Sequence, residues 1–287
     1  MNLTIRTRKG NYYTANFRLV FVPILLLVAG AILTGIIFGY QNKYEKVYRQ
    51  TYDAILQSAR EVTVPDGKTA ANAVRNCAYS TPELFTVNLV EYISGEDGTV
   101  YYFTYNAYAA DYQGNLARYN DYIDELMAAC PAHEDERDKV KWAHDVICAR
   151  FEYDHGMQNY SVLSMLDSGK GVCNAYTGLF LALATRLGLQ CGVAVSDRMN
   201  HTWNIVKVGR NWYHVDVTWD DSSGTYDYYL KTDAEFRNLR HHDWVDTSKN
   251  MTYYDNLKIK LFIVGGVALA LSLLLTFAPL LFNYLFR

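Results

Sequence analysis

Gly171-Val172-Cys173-Asn174-Ala175-Tyr176 opens the strongest helical pattern between the two ends of the chain, and the residues beyond that helix are strand-like. Tyr176, Leu179, Phe180, Leu183, Ala184 and Leu187 recur at the i, i+3, i+4, i+7 spacing of a helix that stops at Gly188. His201-Thr202-Trp203-Asn204 then begins one strand pattern. Trp212-Tyr213-His214-Val215-Asp216-Val217-Thr218-Trp219-Asp220 continues it beyond a turn at Gly209-Arg210-Asn211. The reading is of a helix packed on an antiparallel hairpin.

The residue types in that stretch point to thiol chemistry. A cysteine in the first turn of a helix sits at the positive end of the helix dipole, which favours thiolate. Gly169 and Gly171 permit a close backbone approach, so that N–H groups can face an acyl oxygen. Facing residues of the hairpin should have numbers summing to about 418, close to the 417 of His201 and Asp216. These two are therefore expected to be cross-strand neighbours, the carboxylate fixing the imidazole tautomer and the imidazole taking the thiol proton. His214 alternates onto the same face as Asp216 and is the rival base. A Cys173, His201 and His214 metal set is remote, and no metal and no cofactor are expected. Cys148 and Cys191 read as structural cysteines, and 196–200 is placed on the rim of the cleft.

The three motifs resemble those of the transglutaminase-like superfamily, the papain-like fold shared by transglutaminases and related bacterial domains. Tyr153-Asp154 before the cysteine loop, and Tyr228-Tyr229-Leu230 with Thr232-Asp233 after the Asp motif, resemble bacterial members, and the likeness covers about 134–243. It implies an α+β, papain-like core with Cys173 as nucleophile, His201 as base and Asp216 as orienting carboxylate. Asn174-Ala175 departs from the Glu or Gln followed by Gly of many bacterial members. Tyr160, Asn174, Trp203 and Trp219 are the substrate or oxyanion candidates, with Tyr160 placed as the second oxyanion donor.

The ends of the chain have a different composition. The chain has 287 residues, 50% of them hydrophobic, and a net charge of -3, which argues against a nucleic-acid partner. A basic tail, 1–18, precedes an uncharged run over 19–40, and a second uncharged run covers 261–282. Each is long enough to cross a bilayer as a helix. No Ala-x-Ala site follows the first, so an uncleaved helix is expected rather than a signal peptide. Between them lie an α+β leader module at 41–131, a catalytic core at 132–243 and a juxtamembrane linker at 244–260. Lys and Arg counts do not decide the orientation. A short basic tail before the first apolar segment is a signal-anchor arrangement, which puts the folded part outside the cytoplasm.

Asn-x-Ser/Thr sequons at Asn2, Asn159, Asn200 and Asn250 include one directly before His201, which fits a bacterial membrane protein best. Five cysteines without C-x-x-C spacing exclude a zinc ribbon. The expected function is acyl transfer by a membrane-anchored thiol enzyme acting on amides, foremost a glutamine side chain, of proteins or peptides near the bilayer. A cysteine peptidase, amidase or deamidase would use the same triad, and a non-catalytic membrane scaffold is the remaining alternative.

Overall fold

The computed structural model describes residues 2–6, 12–132, 135–246, 263–267 and 270–271. The chain divides into two compact units, one of residues 1–42 and 250–287 and one of 43–249.

In the first unit, β1 (Asn2–Arg6) pairs antiparallel with β2 (Tyr12–Asn16), so the stretch read as a tail is a strand pair. Helix α1 (Phe17–Leu56) then runs for 40 residues and carries the 19–40 run. Side chains 19–23, 26, 33, 34 and 37 lie outside the described residues, as does most of 261–282. Among the described residues no helix is long and apolar enough to cross a membrane. The two expected spans therefore stand as a proposal. Gly30 and Gly265 are buried, whereas Ile32, Ile36, Phe38, Ile263 and Val264 are exposed. A methyl group on Gly265 would approach the Leu27 side chain to 3.2 Å, so this part of the second run packs on the first.

The second unit continues with β3 (Glu61–Val64), α2 (Lys68–Ser80), β4 (Val87–Gly95) and β5 (Gly98–Tyr105), in the sheet order β3-β5-β4. The expected hairpin is present, with Gly95 facing Gly98. Gly98 sits at φ +133°, with Val64 O only 2.5 Å from where a Cβ would lie, so a side chain there would displace backbone. Helix α3 (Tyr112–Ala128) leads into α4 (Glu136–Arg150), β6 (Glu152–Tyr153), α5 (Val162–Ser168), β7 (Lys170–Gly171) and α6 (Cys173–Arg186).

The chain then forms β8 (Cys191–Ser196), β9 (His201–Val208), β10 (Asn211–Val215), α7 (Val217–Ser223), α8 (Asp233–Asn238) and β11 (Val245–Asp246). The second sheet has the order β10-β9-β8-β11. Helix α6 is the centre of the main core: Ala175, Tyr176, Leu179, Phe180 and Leu183 are completely buried among α3, α4, α5 and the sheet. Strand β9 is buried continuously from Thr202 to Val206, as expected of an interior strand covered on both faces. This is the α+β core that the resemblance implies.

Two details differ from the sequence reading. The run 212–219 is not one strand: β10 stops at Val215, Asp216 becomes the N-cap of α7, and its Oδ1 accepts the Trp219 N–H at 3.2 Å. An aspartate is a poor strand former but a good N-cap, and that preference wins over the β-branched and aromatic residues around it. The stretch read as a linker from residue 244 also begins inside the sheet, because Val245 and Asp246 pair with Val195 and Ala194.

Candidate active site

The loop that delivers the thiol is held by one carboxylate. Asp154 accepts hydrogen bonds from the backbone N–H groups of Gly156, Gln158 and Asn159 at 2.8 to 2.9 Å, and from the Asn159 side-chain amide at 2.9 Å. The Gln158 N–H leads these donors, which hold the Asp154 carboxyl below the usual carboxylate range. Asn159 O in turn accepts the Val172 N–H at 3.0 Å, and β6 pairs with β7 through Tyr153 and Gly171. The N–H groups of Ala175 and Tyr176 close onto Val172 O at 2.9 and 3.2 Å. Those of Cys173 and Asn174 are thus the first-turn donors beside the thiol. Cys173 is half-buried, and its S–H donates to Asn174 Oδ1 at 3.5 Å.

His201 is the first residue of β9, facing Ser196 on β8. Its Nε2–H donates to Asp216 Oδ2 at 2.6 Å. The hairpin register pairs Asn204 with Val215, so facing numbers sum to 419. His201 and Asp216 are therefore diagonal rather than opposite, and they meet because Asp216 leaves the strand at the start of α7. With Nε2 bound to the carboxylate, Nδ1 is the nitrogen left for the thiol. Burial works against the imidazolium, but Asp216 and then Cys173 outweigh it and push the His201 pKa up to about 10. Burial likewise acts against the Asp216 carboxylate, and His201 and His241 overcome it and hold its pKa low.

The remaining candidates separate by environment. His214 is completely buried; its Nδ1 accepts the Trp203 indole N–H at 2.9 Å, and its Nε2 lies 3.1 Å from Asp233 Oδ1. An indole N–H only donates, so His214 Nδ1 bears no proton, and the ring is a structural bridge between β9, β10 and α8. Trp203, a substrate or oxyanion candidate of the sequence, is buried with it and lines neither of the clefts at His201. Trp219 does reach the surface of the site, where it borders a cleft with Tyr153, His201 and Tyr228. A second cleft, of about 230 Å³, is also lined by His201. Tyr160, Asn174, Asp197 and Asn200 from the core line it, and Tyr79, Leu84, Asn88 and Val90 from the leader form its far wall. The expected rim residues Ser196 and Asn200 are there, and Tyr160 is a cleft residue.

Sequence reasoning missed two histidines. His241 Nε2 lies 2.9 Å from the same Asp216 Oδ2 that binds His201. His144 on α4 places Nε2 3.2 Å from Asp220 Oδ2 and Nδ1 3.0 Å from Asp145 Oδ1, which ties α4 to α7 one turn beyond Asp216. Neither lies in a motif, and only the Trp219-Asp220 pair and the adjacent His241-His242 hint at them. His201, Asp216 and His241 have a metal-like donor set. Both imidazoles, however, stand at direct hydrogen-bond distance from one oxygen, and zinc ligands set about 2 Å from a common ion stand farther apart than that. All five cysteines carry free thiols.

An α+β core that sets a thiol at a helix terminus beside a buried His-Asp pair has the architecture of the cysteine transferases and peptidases. Residues 124–217, which include all three motif residues, match the sequence model of the transglutaminase-like superfamily, and the chain carries a domain of that superfamily. The chain is 30% identical to the mouse kyphoscoliosis peptidase over 121 residues, 35% of this chain and 18% of that protein. It is also 30% identical to the human kyphoscoliosis peptidase over 120 residues, 34% and 18% of the two chains. The match thus spans less than a fifth of either peptidase.

Among experimental structures, one described as the crystal structure of a TGase superposes with a TM-score of 0.33 at 17% identity, covering 55% of this chain and 50% of that one. A putative cysteine protease from Cytophaga hutchinsonii superposes at 0.29 with 16% identity, covering 45% and 61%.

Proposed function

We propose that this protein is a membrane-anchored thiol acyltransferase acting on side-chain amides, foremost those of glutamine. The observation that carries the reading is the 2.6 Å bond from His201 Nε2 to the buried Asp216, with Cys173 acting on the same imidazole from the start of α6. Cys173 attacks the amide carbon, and the developing oxyanion faces the N–H groups of the first turn of α6. The imidazolium of His201 returns the proton to the departing ammonia. An amine or water then takes the acyl group from the thioester, with His201 as base.

Two clefts that share His201 favour transfer, since donor and acceptor can each reach the catalytic imidazole through a cleft of its own. Hydrolysis by the same triad is the second reading, and the likeness to the kyphoscoliosis peptidases favours it. Incubating the full chain in detergent with a glutamine peptide and a tagged primary amine is expected to give incorporation of the tag and release of ammonia. Ammonia without the tag would make it a deamidase, peptide cleavage a peptidase, and no Cys173-dependent product would overturn the reading.

Anchoring by 19–40 and 261–282 is supported by the exposed apolar side chains of α1 and by the buried Gly265 against Leu27. A small residue at a contact between the two runs and large apolar ones facing outward suit a lipid environment. The folded unit would then stand outside the cytoplasm of a bacterial cell. Its substrates would be proteins or peptides near the membrane surface. An alkaline carbonate wash is expected to leave the chain in the membrane pellet, and protease added to intact cells is expected to remove 43–249. Extraction by carbonate would remove the anchor from the proposal, and full protection would reverse the side.

A further inference from the structure

Resting on the acyl-transfer reading, we propose that His241 is a positioning residue of the site, one that shares the Asp216 carboxylate with His201 and so sets the orientation and acidity of the His201 imidazole.

Asp216 is buried, and its carboxylate accepts from three donors. Oδ1 takes the Trp219 N–H at 3.2 Å, and Oδ2 takes His201 Nε2 at 2.6 Å and His241 Nε2 at 2.9 Å. An ionised carboxylate only accepts, so His241 Nε2 carries a proton toward it. His241 is itself immobilised. Its ring packs on Phe236 at 4.1 Å between centroids, on Trp219 at 4.5 Å, on Trp203 at 4.8 Å and on Tyr228 at 5.3 Å. Its backbone N–H reaches Phe236 O at 3.3 Å at the end of α8. A buried imidazole enclosed on several sides by aromatic rings, with Nδ1 3.4 Å from Leu239 O and Nε2 on Asp216 Oδ2, holds that carboxylate oxygen still.

The consequence is electrostatic as well as geometric. A carboxylate oxygen that accepts two N–H groups divides its charge between them, so its pull on the His201 imidazolium is weaker than that of an oxygen serving one partner. Without His241 the whole of that pull falls on His201. The imidazolium then becomes a poorer acid toward the leaving ammonia and gives up its proton at higher pH. The titratable groups around the pair are Cys173 on α6, Tyr153 on β6, Asp220 on α7, and Tyr228 and Arg240 on either side of α8. None of the last three stands between His241 and the carboxylate.

The test uses the full chain in detergent with two variants. His241→Phe keeps an aromatic ring in the same surroundings and removes the donor, and His241→Gln keeps an N–H donor. Two readouts are followed against pH: turnover of a glutamine peptide, and alkylation of Cys173 by iodoacetamide, whose alkaline step marks the loss of the imidazolium proton.

His241→Phe is expected to slow turnover about tenfold or more and to move the alkaline step upward by roughly one pH unit. His241→Gln should recover both to within about threefold of the parent rate, as a retained donor requires. An unshifted alkaline step in His241→Phe, whatever its rate, would reduce His241 to a packing residue, and so would equal impairment of the two variants. If the parent shows the alkylation step but no turnover, the acyl-transfer reading fails while the alkylation arm still decides the role of His241.

Discussion

Replacing Asp216 by Asn is expected to slow acylation of Cys173 by about 10⁴, the loss that accompanies a misplaced imidazole tautomer in a triad. Asp216 Oδ2 accepts from two imidazole N–H groups, at 2.6 and 2.9 Å. An asparagine at this position offers one oxygen and one amide nitrogen. Where the nitrogen meets His201, Nε2 must accept, the ring proton moves to Nδ1, and the thiol faces a nitrogen that cannot take its proton. The Trp219 N–H can still be capped by the remaining oxygen, so the fold should survive. Single-turnover acylation by a glutamine peptide is the measurement, with Cys173→Ala as the variant that should form no acyl-enzyme at all. Turnover of Asp216→Asn within tenfold of the parent would show that this carboxylate does not set the tautomer.

The second large effect concerns stability and its pH dependence. His144 is buried with Asp220, and both of its ring nitrogens face carboxylates, Asp145 and Asp220. Burial disfavours its imidazolium, but Asp220, then Cys148 and Asp145, outweigh this and push its pKa up to about 10. A histidine whose folded pKa is raised stabilises the fold fully below its unfolded value of about 6.5 and loses that contribution as the pH climbs through its folded value.

His144→Gln removes the charge and leaves Asp220 buried beside a neutral group. Breaking a buried pair in this way costs roughly 3–5 kcal/mol. In denaturant melts the deficit against the parent is expected to be largest at or below about pH 6.5 and to shrink toward pH 10. The variant should retain some slope in that window, because the raised pKa of His201 titrates there too. A deficit that is the same at pH 6 and pH 10 would mean that His144 is held as a neutral ring.

Much of this site can be read directly from local patterns. The apolar period from Tyr176 to Leu183 identifies α6, the Gly209-Arg210 turn identifies the hairpin, and Cys173 and His201 stand in those elements, with Asp216 directly after the second strand. Other elements carry weaker signals. Helix α2 buries Ala70, Ala73, Val74 and Cys77 at helical spacing, but these are small side chains with little hydrophobic contrast. Strand β8 is a six-residue run, too short for periodicity to distinguish strand from helix. The α7 start hides inside a β-branched and aromatic run, because a capping aspartate looks like a misplaced strand residue until the N–H it caps is known.

By itself, then, the sequence determined that a thiol would stand at a helix terminus and that an imidazole and a carboxylate would be brought together by the hairpin that follows it. Those are local choices, made by residue period and turn chemistry. Which imidazole the carboxylate serves was decided only by the tertiary structure. Diagonal register and the N-cap at Asp216 bring His201 to one side of Oδ2, the chain beyond α8 brings His241 to the other, and Trp203 and Asp233 hold His214 away. The physical reason is that a buried carboxylate takes its partners from whatever donors packing delivers, and His241 arrives from 25 residues away along the chain.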